Sequence, residues 1–212
     1  KNLLTRNLKN APIRWGLTGT IPREKFEFES IHASLGPVIG QISAKELQDK
    51  GVLSQCHVNV VQLLDTQSHS DYQSELKYLT TNQARLEYIG KLLSTVKESG
   101  NTLILVDRIS AGEILQELIP GSVFVKGDVK LKDRKEAYDE INEGTNHVVI
   151  ATYGVAAVGI NIPRIFNLVL IEPGKSFVRV IQSIGRGVRK AKDKDFVQIW
   201  DITSTGKFAK RH

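Results

Sequence analysis

From about residue 80 to the C-terminus, short apolar runs alternate with segments of helical period. That alternation constrains the fold more than any other feature of the chain. The runs at 102–106, 123–125, 147–151, 168–171 and 196–200 are apolar along most of their length. A strand that is apolar on both faces has to be buried on both, which indicates a parallel sheet with helices above and below it. The intervening spacing predicts those helices. One spans about 82–98, with Leu86, Ile89, Leu92, Leu93 and Val96 on one face and Gly100 beyond its end. Others fall at 111–118, closed by Pro120 and Gly121, and at 132–142, ending at Gly144. The expected class is α/β, a parallel sheet with helices on both faces.

Upstream the pattern is less regular. Residues 13–18 read as a short strand that ends in the turn Gly19-Thr20-Ile21-Pro22. Residues 43–50 read as a helix, with Ser43 as N-cap and Glu46 completing a capping box. Residues 56–64 alternate as a strand. The stretch 23–78 is read as a connector with secondary structure of its own.

At 212 residues the chain has room for one large domain, or one domain plus a piece of another. Its formal charge of +6 favours a polyanionic partner. No apolar run approaches the roughly 20 residues that span a bilayer, so no membrane segment is expected. The basic start lacks the apolar core of a secretory signal, and a cytoplasmic protein is expected. The single cysteine, Cys56, excludes an internal disulfide, and the five histidines are scattered without metal-ligand spacing.

Four segments carry candidate chemistry. In Gln182–Arg189, Q-S-I-G-R-G-V-R, two guanidinium groups stand three residues apart on what reads as the start of a helix, while Gly185 and Gly187 keep the surface low. On that reading Arg186 and Arg189 share a helix face. Their fixed, always-charged forks suit a polyphosphate whose charge spreads during transfer. The flanking strands give a strand–helix–strand setting, where open α/β sheets place ligand sites. Thr18-Gly19-Thr20 forms a tight hydroxyl-rich turn. The run 102–106 delivers Asp107-Arg108 at its end. Ala151-Thr152-Tyr153-Gly154 is followed by Gly159-Ile160-Asn161-Ile162-Pro163. Thr152, at a strand end, has a hydroxyl and N–H that can hold a phosphate, and Gly159 allows close backbone approach.

The order T-G-T, a strand with D-R, a strand with K-G-D, A-T-Y-G…G-I-N-I-P and then Q-S-I-G-R-G-V-R resembles the later motifs of superfamily 2 helicases, from about residue 13 to 201. Within that superfamily it is most similar to the phage UvsW-like DNA helicases, with type III restriction translocase subunits as near relatives. The resemblance implies a RecA-like C-terminal domain over 79–212, the connector over 23–78, and over 1–22 the end of a preceding RecA-like domain. It implies that Arg186 and Arg189 are arginine fingers. Gly159, Asn161 and Gln182 would lie beside the nucleotide, Arg108, Gly127 and Thr152 along a nucleic-acid backbone, and Thr18, Gly19 and Thr20 would couple the two sites. Asn161 departs from the family's usual acidic residue at its position, so the ribose contact there would be through a neutral amide.

The implied activity is that of an ATP-dependent DNA helicase or translocase, unwinding or branch-migrating DNA in recombination, repair or replication. ATP and Mg²⁺ would be used by the full-length enzyme, and this fragment alone would hold neither. The partner would be nucleic acid, DNA rather than RNA, together with a missing N-terminal RecA-like domain in cis. A phage origin would place the protein in the host cytoplasm. A Walker A loop needs G-x-x-x-x-G-K-[ST]. The one Gly-Lys-Ser, at 174–176, has Val169 where the first glycine belongs, and no Asp-Glu pair follows an apolar strand. The chain is therefore expected to be part of a longer protein and to be inactive as an ATPase by itself. The alternatives are a stand-alone nucleic-acid-binding module without motor activity, a restriction translocase subunit, and an unrelated Rossmann-like enzyme. The last would need a glycine-rich loop after its first strand.

Overall fold

The computed structural model describes residues 6, 10–22, 24–127, 131–159, 162–171 and 177–209. It divides into two compact units, Lys1–Leu47 and Gln48–His212.

In the first unit, residues 10–22 run without helix or strand. The strand expected at 13–18 is not formed. Ile13, Trp15 and Leu17 do alternate, but they are 73%, 81% and 96% exposed, and alternation makes a strand only where a neighbouring strand accepts its hydrogen bonds. Helix α1, Lys25–Leu35, closes at Gly36, whose φ of 92° lies where glycine carries no steric cost. Helix α2 is Ala44–Asp49. Its capping box is formed: Glu46 N–H donates to Ser43 Oγ at 3.1 Å, and Ser43 N–H donates to Glu46 Oε2 at 2.8 Å.

The second unit is built on a six-stranded sheet in the order β1-β6-β5-β2-β4-β3. The strands are β1 (Gln55–Leu63), β2 (Thr102–Val106), β3 (Val123–Val125), β4 (Val148–Thr152), β5 (Asn167–Ile171) and β6 (Phe196–Ser204). All pairings are parallel. The helices are α3 (Tyr72–Thr81), α4 (Gln83–Val96), α5 (Ile109–Leu118), α6 (Leu131–Glu143), α7 (Tyr153–Gly159) and α8 (Phe177–Gly187). The expectation of a RecA-like parallel sheet covered on both faces holds.

The chemistry of the strands explains why. Every described residue of β2 and β5 is buried. Leu103, Leu105, Leu168, Leu170 and Ile199 face one layer, with Tyr138 and Ile141 of α6, Val155 and Ala156 of α7, and Ile184 of α8 against them. Ile104, Val106, Val169, Ile171 and Ile202 face the other, beneath Leu86, Ile89 and Leu93 of α4 and Ala111 and Leu115 of α5. Each strand therefore alternates between two cores, which is what an apolar run without polar alternation requires.

Buried polar side chains fix the loop positions. The Asn101 amide donates to the carbonyls of Ile141 (2.7 Å) and Gly144 (3.1 Å) and accepts from His147 N–H (2.9 Å), tying the end of α6 to the start of β2 and β4. Asp65 accepts from Arg85 Nε at 3.4 Å and from Ser204 Oγ at 2.6 Å, joining the chain after β1 to α4 and the end of β6. Glu75 of α3, 1% exposed, accepts the N–H groups of Phe208 and Ala209 and holds the chain beyond β6.

Three features differ from the sequence reading. The alternating strand assigned to the connector is β1, paired with β6 along its length from Gln55↔Phe196 to Leu63↔Ser204. The sheet-bearing unit accordingly starts at Gln48, well before residue 79. Helix α3 was not expected; Asp71 caps it by accepting from Ser74 N–H at 2.9 Å. The Gln182–Arg189 segment closes a helix rather than opening one, because α8 already runs from Phe177 and ends at Gly187.

Leu103 is fully buried on β2, between β4 and β5. Leu103→Ala is expected to lower unfolding stability by about 2–5 kcal/mol, the usual range for a core leucine truncation. Urea unfolding of the two proteins measures it.

Candidate functional site

A parallel sheet covered on both faces keeps its strand ends for chemistry, and the candidate residues divide between the two ends. At the carboxyl end, β2, β4 and β3 are neighbours. Val106 pairs with Thr152, and Val125 pairs with Ala151. The chain beyond each strand therefore leaves the sheet side by side: Asp107-Arg108 after β2, Thr152 at the end of β4, and Lys126-Gly127 after β3. The structure brings Arg108, Gly127 and Thr152 to one end of the fold.

Their local chemistry suits an extended anion. Arg108 occupies the N-cap position of α5, and its side chain is 52% exposed beside Asp107, with Nε 3.3 Å from Oδ2. Such an exposed pair contributes little to stability. A second guanidinium N–H reaches Gln73 Oε1 of α3 at 3.5 Å. The Thr152 hydroxyl accepts from Val155 N–H at 3.4 Å, so it caps the first turn of α7 and still has a proton to donate. A Cβ built on Gly127 would meet nothing within 4 Å. Lys126, the lysine of K-G-D, adds a cation beside Gly127; its ammonium pairs with Glu113 and lies 5.4 Å from the Phe124 ring.

Arg186 and Arg189 lie at the opposite, amino end. Helix α8 follows β5 and runs back along the sheet. A Cβ on Gly187 would come within 3.1 Å of Leu168 and 3.7 Å of Val197, each the second residue of its strand. Close packing of helix on sheet is what requires glycine at that position. Beyond α8, Ser54 N–H donates to Val188 O at 2.8 Å, and Arg189 forms an antiparallel bridge with Leu53, just ahead of β1.

Two expectations are corrected by this geometry. Arg189 lies past the end of the helix, so the two arginines do not share a helix face. It is Gln182 and Arg186, four residues apart within α8, that do. The cluster also sits away from the carboxyl end where open α/β sheets hold their own ligands.

The arginines are nonetheless close in effect. Partial burial, and then the like charge of Arg186, push the Arg189 guanidinium below its ordinary value. Among the described residues no group of three or more His, Cys, Asp or Glu side chains could hold a metal ion, and no helix is long and apolar enough to cross a membrane.

The remaining assignments are scattered. Gly159 ends α7. Asn161 and the Gly174–Ser176 loop lie outside the described residues. Gln182 is exposed on α8. Thr18, Gly19 and Thr20 lie in the first unit. There the Thr18 hydroxyl donates to Thr20 O at 2.8 Å and accepts from Thr20 N–H at 3.1 Å, a self-contained turn.

What holds the arginine segment was not legible in the sequence. Lys194 is 2% exposed, and its ammonium donates to the carbonyls of Pro163 (3.0 Å), Gly187 (2.5 Å) and Arg189 (2.8 Å). The carbonyls of Gly187 and Arg189 come from the end of α8 and just beyond it, where a helix leaves its acceptors unpaired and favours a cation. Ser54 Oγ reaches Arg189 O at 3.3 Å and Lys194 O at 3.4 Å. Next to Lys194, Asp193 takes a bidentate pair from Arg164 Nε and Nη2, the latter at 2.8 Å. Burial pulls the Lys194 ammonium down to about 8, against the opposing pull of Asp193.

Comparison with known proteins agrees with this architecture. Residues 84–191, about half of the chain, match the helicase conserved C-terminal domain, and the chain belongs to that family. It is 24% identical over 206 residues to the ATP-dependent DNA helicase uvsW of Enterobacteria phage T4, covering 92% of this chain and 41% of that protein. The chain thus spans about two fifths of that relative's length. The crystal structure of T4 UvsW superposes with a TM-score of 0.59 at 24% identity, over 72% of this chain and 33% of that one. A fragment described as an HsdR subunit of a type I restriction enzyme from Vibrio vulnificus YJ016 superposes with a TM-score of 0.71 at 19% identity, over 88% and 39%.

The lowered Lys194 value has a definite sign. Between about 8 and the ordinary 10.5 the unfolded chain binds the extra proton, so the cost of burying the charge is fully present below pH 8 and is relieved as pH rises toward 10.5. The stability of the natural chain relative to Lys194→Met is expected to increase from pH 8 to pH 10, measured by urea midpoints across that range.

Proposed function

We propose that this chain is the C-terminal part of an ATP-dependent DNA helicase or translocase. On this reading residues 1–22 close the preceding RecA-like domain, residues 23–78 contain the connection, and the sheet-bearing unit is the second RecA-like domain. The observation that carries the proposal is the division of the candidate residues between the two ends of one sheet. A paired-arginine segment lies at the amino end, and a row of backbone-contact positions lies at the carboxyl end. The exposure of Ile13, Trp15, Leu17 and Phe26 in the first unit supports a segment that completes a neighbouring domain, since large apolar side chains in series rarely stay uncovered.

ATP with Mg²⁺, bound by the preceding domain, would supply the transferable phosphoryl group. The residues of this chain would then act from outside that site. Arg186 and Arg189 would bring positive charge to the phosphoryl oxygens, over which negative charge spreads in the transition state. An arginine finger of this kind contributes roughly 10³–10⁵ in rate. Gln182, on the same α8 face as Arg186, offers a neutral donor and acceptor beside it. Gly159 and Asn161 belong to the segment between the nucleotide and the strand. At the other end of the sheet, Arg108, Gly127 and Thr152 would hold successive phosphates of a DNA strand through a cation, a backbone N–H and a hydroxyl. Contacts of this kind fix position without reading sequence. Thr18, Gly19 and Thr20 would transmit closure between the two domains. The name of the phage relative, a DNA helicase, supports DNA over RNA.

In the full-length protein, Arg186→Ala and Arg189→Ala are each expected to lower ATP turnover by about 10³-fold or more while leaving DNA affinity within about twofold. Normal turnover in both variants would defeat the finger assignment. This chain by itself is expected to hydrolyse no ATP, with or without DNA, in a steady-state phosphate-release assay.

For the opposite end of the sheet, Arg108→Ala is expected to weaken binding about equally across DNA sequences. It should also lower the slope of log affinity against log salt by about one. Fluorescence anisotropy between 50 and 200 mM salt reads both. An unchanged slope would remove Arg108 from the backbone contacts.

A further inference from the structure

The sequence motifs leave one buried charge unexplained. Lys194 is not part of the Q-S-I-G-R-G-V-R segment, and by sequence it belongs to a charged run, Lys190 to Asp195, of the kind that usually lies in solvent. Instead it is 2% exposed. Its ammonium has its three donors on three carbonyls, and those carbonyls come from two different places. Gly187 and Arg189 belong to the arginine segment, whereas Pro163 ends the Gly159–Pro163 segment. The neighbouring Asp193 repeats the link by pairing with Arg164. The turn at 191–194, closed by Lys194 N–H on Ala191 O at 3.2 Å, is therefore a clip with one contact set on each segment.

We propose that Lys194 is a positioning residue for the arginine segment, fixing the backbone at Gly187 and Arg189 against Pro163. The proposal rests on the reading of Arg186 and Arg189 as fingers. Three features carry it. The carbonyls of Gly187 and Arg189 bracket the residue between the helix end and the second guanidinium, so their position sets where that guanidinium leaves the backbone. The same ammonium bonds Pro163, so a shift of either segment is felt by the other through one rigid node. Ser54 Oγ lies 3.3 Å from the Arg189 carbonyl and 3.4 Å from the carbonyl of Lys194, so the two residues that the ammonium links also share one hydroxyl. A buried cation at this point does what an apolar side chain of the same volume cannot, because the carbonyls would lose their donors.

A double-mutant cycle in the full-length protein tests it. Lys194→Met in the natural background is expected to lower kcat for ATP by about 10–100-fold, with KM for ATP within about twofold, as for loss of alignment rather than of binding. In an Arg186→Ala, Arg189→Ala background the same substitution is expected to change kcat by less than about twofold, because there is no longer a finger to position. Lys194→Gln, which keeps two N–H donors without the charge, is expected to fall between Lys194→Met and the natural protein. It also serves if Lys194→Met does not fold. An equal loss in both backgrounds would make Lys194 a purely structural residue and overturn the proposal, as would unchanged kcat in the natural background. Normal turnover in the arginine variants would instead remove the finger reading itself, an outcome the cycle separates from the other two.

Discussion

Burying both faces of an all-parallel sheet is the constraint on which the rest of this fold depends. Every strand of the centre, β2 and β5 above all, gives its side chains alternately to two cores, so neither face has room for polar chemistry. Parallel strands also oblige each connection to cross from one end of the sheet to the other, and α8 is such a connection. The consequence is spatial. Residues that follow a strand collect at the carboxyl end, and residues that precede one collect at the amino end. Arg108, Gly127 and Thr152 belong to the first group, Arg186 and Arg189 to the second. Their separation is a product of topology before it is a product of function.

The same packing decides where charge can be afforded inside. Asp65 with Arg85, Glu75 with two backbone N–H groups, and Lys194 with three carbonyls are each buried and each supplied with partners. A buried charge without such partners costs several kcal/mol. All three lie at strand or helix ends, where backbone groups have no partner in the regular ladder. Lys194 differs from the others in holding two segments that carry candidate functional residues.

Much of the fold was legible in the sequence because the dominant signal is local. Thr102–Val106 and Val123–Val125 are strands with the expected bounds, since an unbroken apolar run has few other uses in a protein of ordinary composition. The misses share a physical cause, dependence on partners distant in the chain. β1 reads as a strand, but its place beside β6 rests on pairing across some 140 residues. Residues 13–18 carry the alternation of a strand, but among the described residues no strand pairs with them. The helix start read at Gln182 is the end of α8, and Gly187 closes that helix where a side chain would crowd Leu168 and Val197. The arginine motif was thus recognisable by residue type while its placement, at a helix end and at the amino end of the sheet, was not. Lys194 gave no signal, because a lysine in a charged run looks the same whether it faces water or three carbonyls.

The central claim is that the amino end of this sheet meets the nucleotide and the carboxyl end meets the nucleic acid. A structure of the full-length protein with ADP, aluminium fluoride and a DNA strand tests it most directly. The account predicts the guanidinium groups of Arg186 and Arg189 within about 3 Å of the fluorine atoms that stand for the phosphoryl oxygens, with Arg108 and Thr152 at the same distance from DNA phosphates. Finding the phosphoryl mimic beside Thr152 and Arg108, with the DNA against the end of α8, would contradict it.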